Sequence, residues 1–411
     1  MRNYIEYKDS GIPWIGKTPA KWGLSKVKFL FSIGRGRVIA TTEIDEKGLY
    51  PVYSSQTQNE GCLGYIETYD FDKEQITWTT DGANAGTIFL RKGKYNCTNV
   101  CGTLLPFGER SDLSYMKHLL EYIAIYHKRP DTNGYKIMNN EMANIIIPLP
   151  PVEEQQNIAA FLNNKTSAID TLIANKEQLI ELLKDKRQAI INEALTKGLD
   201  KNVEMKDSGV EWIGEIPKNW EVEKFKWIFE IVKRPYFEED RPVLSITQSG
   251  IKIKNIKDND GQQAETYSGY QQVDINDFAM NGMDLLTGYI DCSIYNGVTS
   301  PDYRVFRFLN NNIQIHGYYK YLFQTYYKRK IFYKFGQGVS NLGRWRLQTE
   351  TLLEFPVPKP PIQTQIQIVK NIEVETNRVD TLVADITIQI GKLKEYRRSF
   401  ISEVVTGKVA I

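Results

Sequence analysis

The sequence predicts an α+β protein with an internal pseudo-two-fold repeat: two mixed α/β domains in tandem, separated and joined by two long antiparallel coiled-coil helices. Three observations carry this. Lys8–Trp22 reads KDSGIPWIGKTPAKW and returns 198 residues later as KDSGVEWIGEIPKNW, Lys206–Trp220, with nine of fifteen positions identical. IPLPPVEEQQNIAAFLNNKTSAIDTLIA, from Ile147, aligns without gaps to VPKPPIQTQIQIVKNIEVETNRVDTLVA, 210 residues further on. Each of these second segments opens a long run with apolar residues at heptad spacing. A period near 200 residues is too long for a solenoid and fits duplication of whole domains.

A chain of 411 residues, 41% hydrophobic and 25% charged, can form several folded domains. The opening MRNYIEYKDSG lacks the apolar run of a signal peptide, and no stretch approaches the roughly 18 apolar residues of a membrane span, so a cytoplasmic protein with no membrane partner is expected. Cys62, Cys97, Cys101 and Cys292 contain no CxxC pair, and His118, His127 and His316 are scattered, so free thiols are expected and a metal site is not.

The pattern divides the chain into a first domain (1–150), a first long helix (151–200), a second domain (201–360) and a second long helix (361–411). Within the domains, glycine-rich turns such as Asp81–Gly86 separate short runs of β-branched and aromatic residues, which read as strands. One helix is expected in each, near Leu113–His127 and His316–Tyr333. Pro148, Pro150 and Pro151, and Pro356, Pro358, Pro360 and Pro361, mark hinges before the long helices, where a missing N–H is harmless. The expected seam steps through Ile158, Leu162, Lys165, Ile169, Leu172, Lys176, Leu179, Leu183, Lys186 and Ile190. In the second copy it runs through Ile368, Ile372, Glu375, Val379, Leu382, Ile386, Gln389, Leu393, Tyr396 and Phe400. Flanking Ile173, Ile180, Ile191, Val383, Ile390 and Ile401 widen both stripes. Gly198 and Gly407 end the runs. Two equal helices in one register most simply pack on each other. If they run antiparallel, the variable domains lie at opposite ends of a ruler about 65 Å long.

Gly11–Thr18 matches the P-loop pattern letter for letter, but Tyr4–Ser10 is a poor strand, Pro13 and Trp14 stiffen the loop, and Pro19 follows the threonine. The repeat copy has Glu215 and Ile216 in place of the Lys-Thr pair. No Asn-Pro-Pro-aromatic methyltransferase motif, glycine-rich cofactor fingerprint or carboxylate–lysine nuclease cluster appears. Glu153 and Glu154 suit the positive end of a helix dipole. No catalytic residue is expected.

The net charge of +2 conceals an uneven distribution. Tyr303–Thr349 has no acidic residue and nine basic ones, interleaved with Tyr318, Tyr319, Tyr321, Phe323, Tyr326, Tyr327, Phe332, Tyr333, Phe335 and Trp345. Most of these aromatics read as core; the charges read as a surface facing a polyanion.

At the repeated KDSG-x2-WIG-x2-P-x2-W opening and the IPLPPVEEQQNIAAFL helix start, the sequence resembles the specificity subunit of a type I restriction–modification system, over essentially the entire chain. Thr364 departs from the pattern where the first copy has Glu154; Gln365 is kept. The resemblance implies two target-recognition domains, each reading half of a bipartite, asymmetric site in double-stranded DNA, with the long helices setting the spacing. It implies two docked methyltransferase subunits and up to two restriction subunits. S-adenosylmethionine, ATP and Mg²⁺ would belong to those partners, with no cofactor on this chain.

Arg with Gln or Asn suits guanine and adenine edges, and Lys or Arg suits phosphates. The candidate DNA-binding residues are Arg35, Arg37, Asn84 and Lys136 in the first domain. In the second they are Gln337, Asn341, Arg344 and Arg346 in a glycine-rich loop, with Lys328, Arg329 and Lys334 beside it. A self-sufficient DNA-modifying enzyme and a coiled-coil scaffold with no nucleic-acid role are the alternatives; the missing motifs disfavour the first and the basic run the second.

Overall fold

The computed structural model describes residues 4–132, 134–238, 240–255, 264, 266–310, 315–338 and 345–411. They form two compact units, Met1–Gln178 with Ile386–Ile411, and Leu179–Asp385. No helix among the described residues is long and apolar enough to cross a membrane.

The first unit opens with a hairpin of β1 (Tyr7–Asp9) and β2 (Lys17–Pro19). Ser10 N–H donates to Gly16 O at 3.0 Å and Gly11 N–H to Asp9 Oδ1 at 2.9 Å. Gly11 and Gly16 have φ of +69° and +66°, open to glycine without strain. The P-loop letters are therefore a hairpin turn, with Lys17 and Thr18 in a strand. Next come β3 (Gly23–Lys26), β4 (Phe31–Arg35), β5 (Tyr50–Tyr53), β6 (Cys62–Ile66), β7 (Gln75–Thr79), β8 (Asp81–Gly82), β9 (Ile88–Arg91), β10 (Asn96–Cys97) and β11 (Cys101–Pro106). The central antiparallel sheet has the order β4-β11-β7-β9. Helix α1 (Leu113–His127) is capped by Asp112, whose carboxylate accepts Tyr115 N–H at 2.8 Å, and it buries Met116, Leu119, Leu120 and Ile123. The hairpin β12 (Arg129–Asp131) and β13 (Gly134–Lys136), the short α2 (Asn139–Asn144) and β14 (Ile146–Leu149) follow, and β14 returns to pair with β3. The long helix α3 spans Val152–Lys197.

The second unit repeats this plan. β15 (Met205–Asp207) and β16 (Glu215–Pro217) rebuild the hairpin, with Ser208 N–H to Gly214 O at 3.1 Å and Gly209 N–H to Asp207 Oδ1 at 2.9 Å. Then come β17 (Glu221–Lys224), α4 (Phe225–Ile228), β18 (Phe229–Val232), β19 (Pro235–Tyr236), β20 (Leu244–Thr247), β21 (Gly250–Ile253), β22 (Tyr270–Val273), β23 (Phe278–Met280), β24 (Ile290–Cys292), β25 (Gly297–Thr299) and β26 (Arg304–Phe308). The sheet order β18-β26-β23-β24 matches that of the first unit. The helix expected over His316–Tyr333 is divided: α5 (His316–Lys328) ends before Lys330, whose φ of +56° turns the chain into α6 (Ile331–Lys334). α7 (Thr349–Leu353) and β27 (Pro356–Lys359) lead to the second long helix, α8 (Ile362–Val405).

One buried glutamine ties each long helix to its own domain. Gln155 donates to Pro150 O at 2.8 Å and accepts Asp112 N–H at 2.9 Å; Gln365 donates to Pro360 O at 2.8 Å and accepts Ile315 N–H at 3.3 Å. The Glu154/Thr364 difference also has a local cause. Glu154 accepts the Tyr4 hydroxyl at 2.6 Å, and the position equivalent to Tyr4 in the second copy is Asn202.

Within each unit the long helices pair antiparallel. In the first, Asp170 meets Arg397 while Lys176 meets Gln389, so partners descend along α8 as α3 ascends. In the second, Arg187 meets Asp380. The contact seam is shifted at alternate positions from the one expected. Thr166, Ile173, Ile180, Arg187 and Ile191 face inward in place of Lys165, Leu172, Leu179, Lys186 and Ile190. In α8, Thr376, Val383, Ile390 and Arg397 replace Glu375, Leu382, Gln389 and Tyr396. The expected edge would have buried Lys165, Lys186 and Glu375, and removing unpaired charge from water is costly. The apolar stripe was wide enough to permit either choice.

Candidate nucleic-acid interface

In the first unit, the end of β4, the start of β11 and the end of β7 lie together, with Arg35 opposite Gly102 and Cys101 opposite Thr79. The structure brings all four candidates of this domain to that end. Arg35 is exposed, its guanidinium donating to Asn99 O. Arg37 is held by Asp70 at 3.0 Å and Glu43 at 3.4 Å. Glu43 is in turn kept below the usual carboxylate range, first by the Ala40 N–H and then by Arg37. Between the arginines, a Cβ on Gly36 would collide with the carbonyls of Cys97 and Thr98, so only glycine permits this close approach. Asn84, in the turn after β8, donates to Ser55 O at 3.0 Å. Lys136 lies on β13 opposite Asp81 and pairs with Asp131 at 2.9 Å, lowering that carboxyl's pKa. Arg37 and Lys136 are thus oriented by internal acids, while Arg35 and Asn84 are held by backbone carbonyls.

In the second unit, Gln337 and Arg346 exchange backbone hydrogen bonds at 2.8 and 2.9 Å, and both are exposed. This is the counterpart of the β12–β13 hairpin. Leu347 N–H donates to Gly282 O at 3.2 Å as Ile137 N–H donates to Thr80 O at 2.9 Å, and both apolar side chains are fully buried. Ile137 and Leu347 are 210 residues apart, which makes Lys136 and Arg346 equivalent positions. Arg304, half-buried, braces the hairpin from below through Leu347 O and Thr349 Oγ1, and burial lowers its pKa. Lys328, Arg329 and Lys334 are exposed at the ends of α5 and α6. Asn341 and Arg344 lie outside the described residues.

The acid-free run is not acid-free in space. Glu230 reaches Arg307 at 2.7 Å and Asp291 reaches Lys320 at 3.6 Å, so the fold supplies carboxylates that the local sequence lacks. What stays exposed with no ion-pair partner among the described residues is narrower: Lys328, Arg329, Lys330, Lys334 and Arg346. The interleaved aromatics are largely core. Tyr318, Tyr319, Phe323, Tyr326, Tyr327 and Phe332 are buried, and Tyr321, Tyr333, Phe335 and Trp345 pack partly buried against them.

Two surface bases at these ends escaped sequence reading. Lys233, exposed just after β18, occupies the position of Arg35, 198 residues earlier, so the repeat offset itself was the available signal. Arg129 lies opposite Lys136 and pairs with Glu141 at 2.6 Å, as Gln337 lies opposite Arg346; nothing in its local sequence distinguished it.

The chain is similar to known proteins along its whole length. The type I restriction modification DNA specificity domain family matches residues 19–182 and 217–391, one stretch in each copy of the repeat. The MjaVIII type I restriction enzyme specificity subunit of Methanocaldococcus jannaschii is 25% identical over 425 residues, covering 96% of this chain and 94% of that protein. The MpnII specificity subunit of Mycoplasma pneumoniae is 36% identical over 160 residues, 39% of this chain and 48% of that one. A chain from a solved structure concerning assembly and conformational transition of the type I restriction–modification system shares the fold, with a TM-score of 0.68 at 12% identity over 95% of this chain and 99% of that one. The chain therefore belongs to the type I restriction modification DNA specificity family and is a specificity subunit, the non-catalytic component of such a system.

Proposed function

We propose that this subunit reads a bipartite, asymmetric site in double-stranded DNA, one half-site with each domain, and docks two methyltransferase subunits and up to two restriction subunits. In this reading residues 1–150 and 201–360 are the recognition domains, and 151–200 and 361–411 are spacer helices whose length sets the base pairs between half-sites. The observation that carries it is the equivalence of Lys136 and Arg346. A base on the same hairpin, at the same end of the same sheet, is flanked by different side chains in the two units. Arg35, Arg37 and Asn84 accompany Lys136, while Gln337 lies opposite Arg346; Lys328, Arg329 and Lys334, with Asn341 and Arg344, are assigned to the second half-site from the sequence alone. Bases at shared positions suit phosphates common to any DNA, and unlike neighbours suit different base edges.

Docking is supported by apolar side chains left outside the helix seam. Leu172 is 44% exposed in the first unit, and Leu179, also 44%, and Leu382, 50%, are exposed in the second. Two free-standing helices have no use for these; a further helix from a partner would cover them. S-adenosylmethionine, ATP and Mg²⁺ are assigned to the partner subunits, and the complex to the cytoplasm.

The test is a survey of modified bases in host genomes with and without the gene. Loss of methyladenine at one two-part motif on deletion supports the reading. Retention of every methylated motif in a host whose methyltransferase is active counts against it.

A further inference from the structure

We infer that each unit carries the same aromatic knob for the same protein partner, Phe29 in the first and Trp227 in the second, and that the two knobs seat two copies of the methyltransferase subunit. This rests on the docking proposed above and adds where it occurs. Phe29 closes a 3-10 turn, Val27–Phe29, whose Val27 is fully buried and whose neighbour Leu30 is nearly so; Phe29 itself is 59% exposed. Trp227, 198 residues later, lies on α4 between buried Phe225 and Ile228 and is 66% exposed. A lysine sits over each ring, Lys28 at 5.6 Å and Lys226 at 5.4 Å from the centroid. A second exposed apolar residue adjoins each knob through the backbone: Phe107 N–H donates to Leu30 O at 2.9 Å and Leu309 N–H to Ile228 O at 3.0 Å.

Single exposed apolar residues are ordinary. Here the arrangement recurs in both copies although the fold gains nothing from it, since the inward residues of the same turns do the packing. The two domains are assigned different half-sites, so a surface feature they share serves something that meets both alike. DNA readout lies elsewhere. Phe31, next to the knob, pairs with Pro106, whereas Arg35 pairs with Gly102 at the other end of the same two strands, about 13 Å away. In the second unit Phe229 pairs with Phe308 and Val232 with Val305, so Trp227 and Lys233 are separated in the same way. Charge defines the receiving pocket. Among the described residues neither Lys26 nor Lys28 has an ion-pair partner, while Lys224 and Lys226 share Glu354. A protein pocket that accepts an aromatic ring and carries carboxylates on its rim fits both sites, and interface aromatics of this kind are frequent binding hot spots.

The experiment titrates full-length protein with the methyltransferase subunit of the same system and counts bound copies by native mass spectrometry. Wild type should take two. Phe29→Ala and Trp227→Ala should each keep one tight site and weaken the other by about 30-fold, and the double variant should weaken both. Lys28→Glu and Lys226→Glu, which leave the rings in place, should weaken the same sites to a smaller degree. Alanine variants that bind two copies with wild-type affinity overturn the knobs while leaving the docking intact. A wild-type protein that binds no methyltransferase overturns docking and knobs together.

Discussion

Arg397 of α8 holds Asp170 of α3 at 2.8 Å, and the contact recurs with the helices exchanged, Arg187 of α3 holding Asp380 of α8 at 2.9 Å. Both arginines and both aspartates are 210 residues apart, so this is one interaction of the ancestral repeat made twice. The surroundings differ. Arg397 also binds Glu121 of α1 at 2.8 Å, and at the equivalent turn of α5 the residue is Gln324, which turns to Asp291 at 2.9 Å.

That difference predicts unequal costs. Arg397→Ala leaves the part-buried Glu121 with Lys117, at 3.4 Å, as its remaining full cation and should destabilise the first unit by about 2 kcal/mol. Arg187→Ala removes a pair whose aspartate is mostly in water and should cost under about 1 kcal/mol. Urea unfolding of the two variants checks this; equal midpoints would refute it.

The first unit should also be acid-sensitive. Burial, and then Lys117, hold His118 below its ordinary value of 6.5, and burial lowers His127 as well. As pH falls through 6.5 the unfolded chain takes up protons that the folded rings resist, so stability declines. Glu121 acts in the same direction. Burial alone would raise its pKa, but Lys117 and Arg397 outweigh it and keep it low, so its contribution is lost as pH falls through the folded value. His118→Gln should flatten the fall of Tm between pH 7 and 5 measured by calorimetry.

The glycines that end the long helices are not equally replaceable. Gly198 and Gly407 have φ of +75° and +74°, so a side chain costs about 1 kcal/mol at either. A Cβ on Gly407 would in addition collide with the Pro19 ring, whereas on Gly198 its closest contact is Trp220 at 3.3 Å. Gly407→Ala should lower Tm clearly more than Gly198→Ala in thermal melts.

A fragment of residues 1–200 should dimerise. It lacks Phe400, Ile401, Val404 and Val405, which belong to the first unit's core. Its own Ile190, Ile191, Ala194 and Leu195 stand at the equivalent positions of α3 and in the second unit receive the same contacts, Tyr318 Oη donating to Leu195 O at 3.3 Å as Tyr115 Oη donates to Val405 O at 3.4 Å. Two copies can complete each other and would read a palindromic site. Light scattering that finds a folded monomer would rule out this exchange.

Much of the design was legible because adjacent residues carry it. The duplication, the rejection of the P-loop letters, the bounds of α1, and the glycine stops at Gly198 and Gly407 all rest on patterns among nearby residues. Tertiary structure decided what depends on distant partners. It selected which edge of a broad apolar stripe became the helix seam, since burying Thr166 and Ile173 spared Lys165 from desolvation. It supplied Glu230 to Arg307 from 77 residues away, thinning a basic run to a few exposed cations. It also made Lys136 and Arg346 equivalent, through the buried anchors Ile137 and Leu347 that lock each hairpin to its sheet. A sequence displays its local grammar directly; where charges are neutralised and which apolar face is covered are settled only when the chain closes on itself.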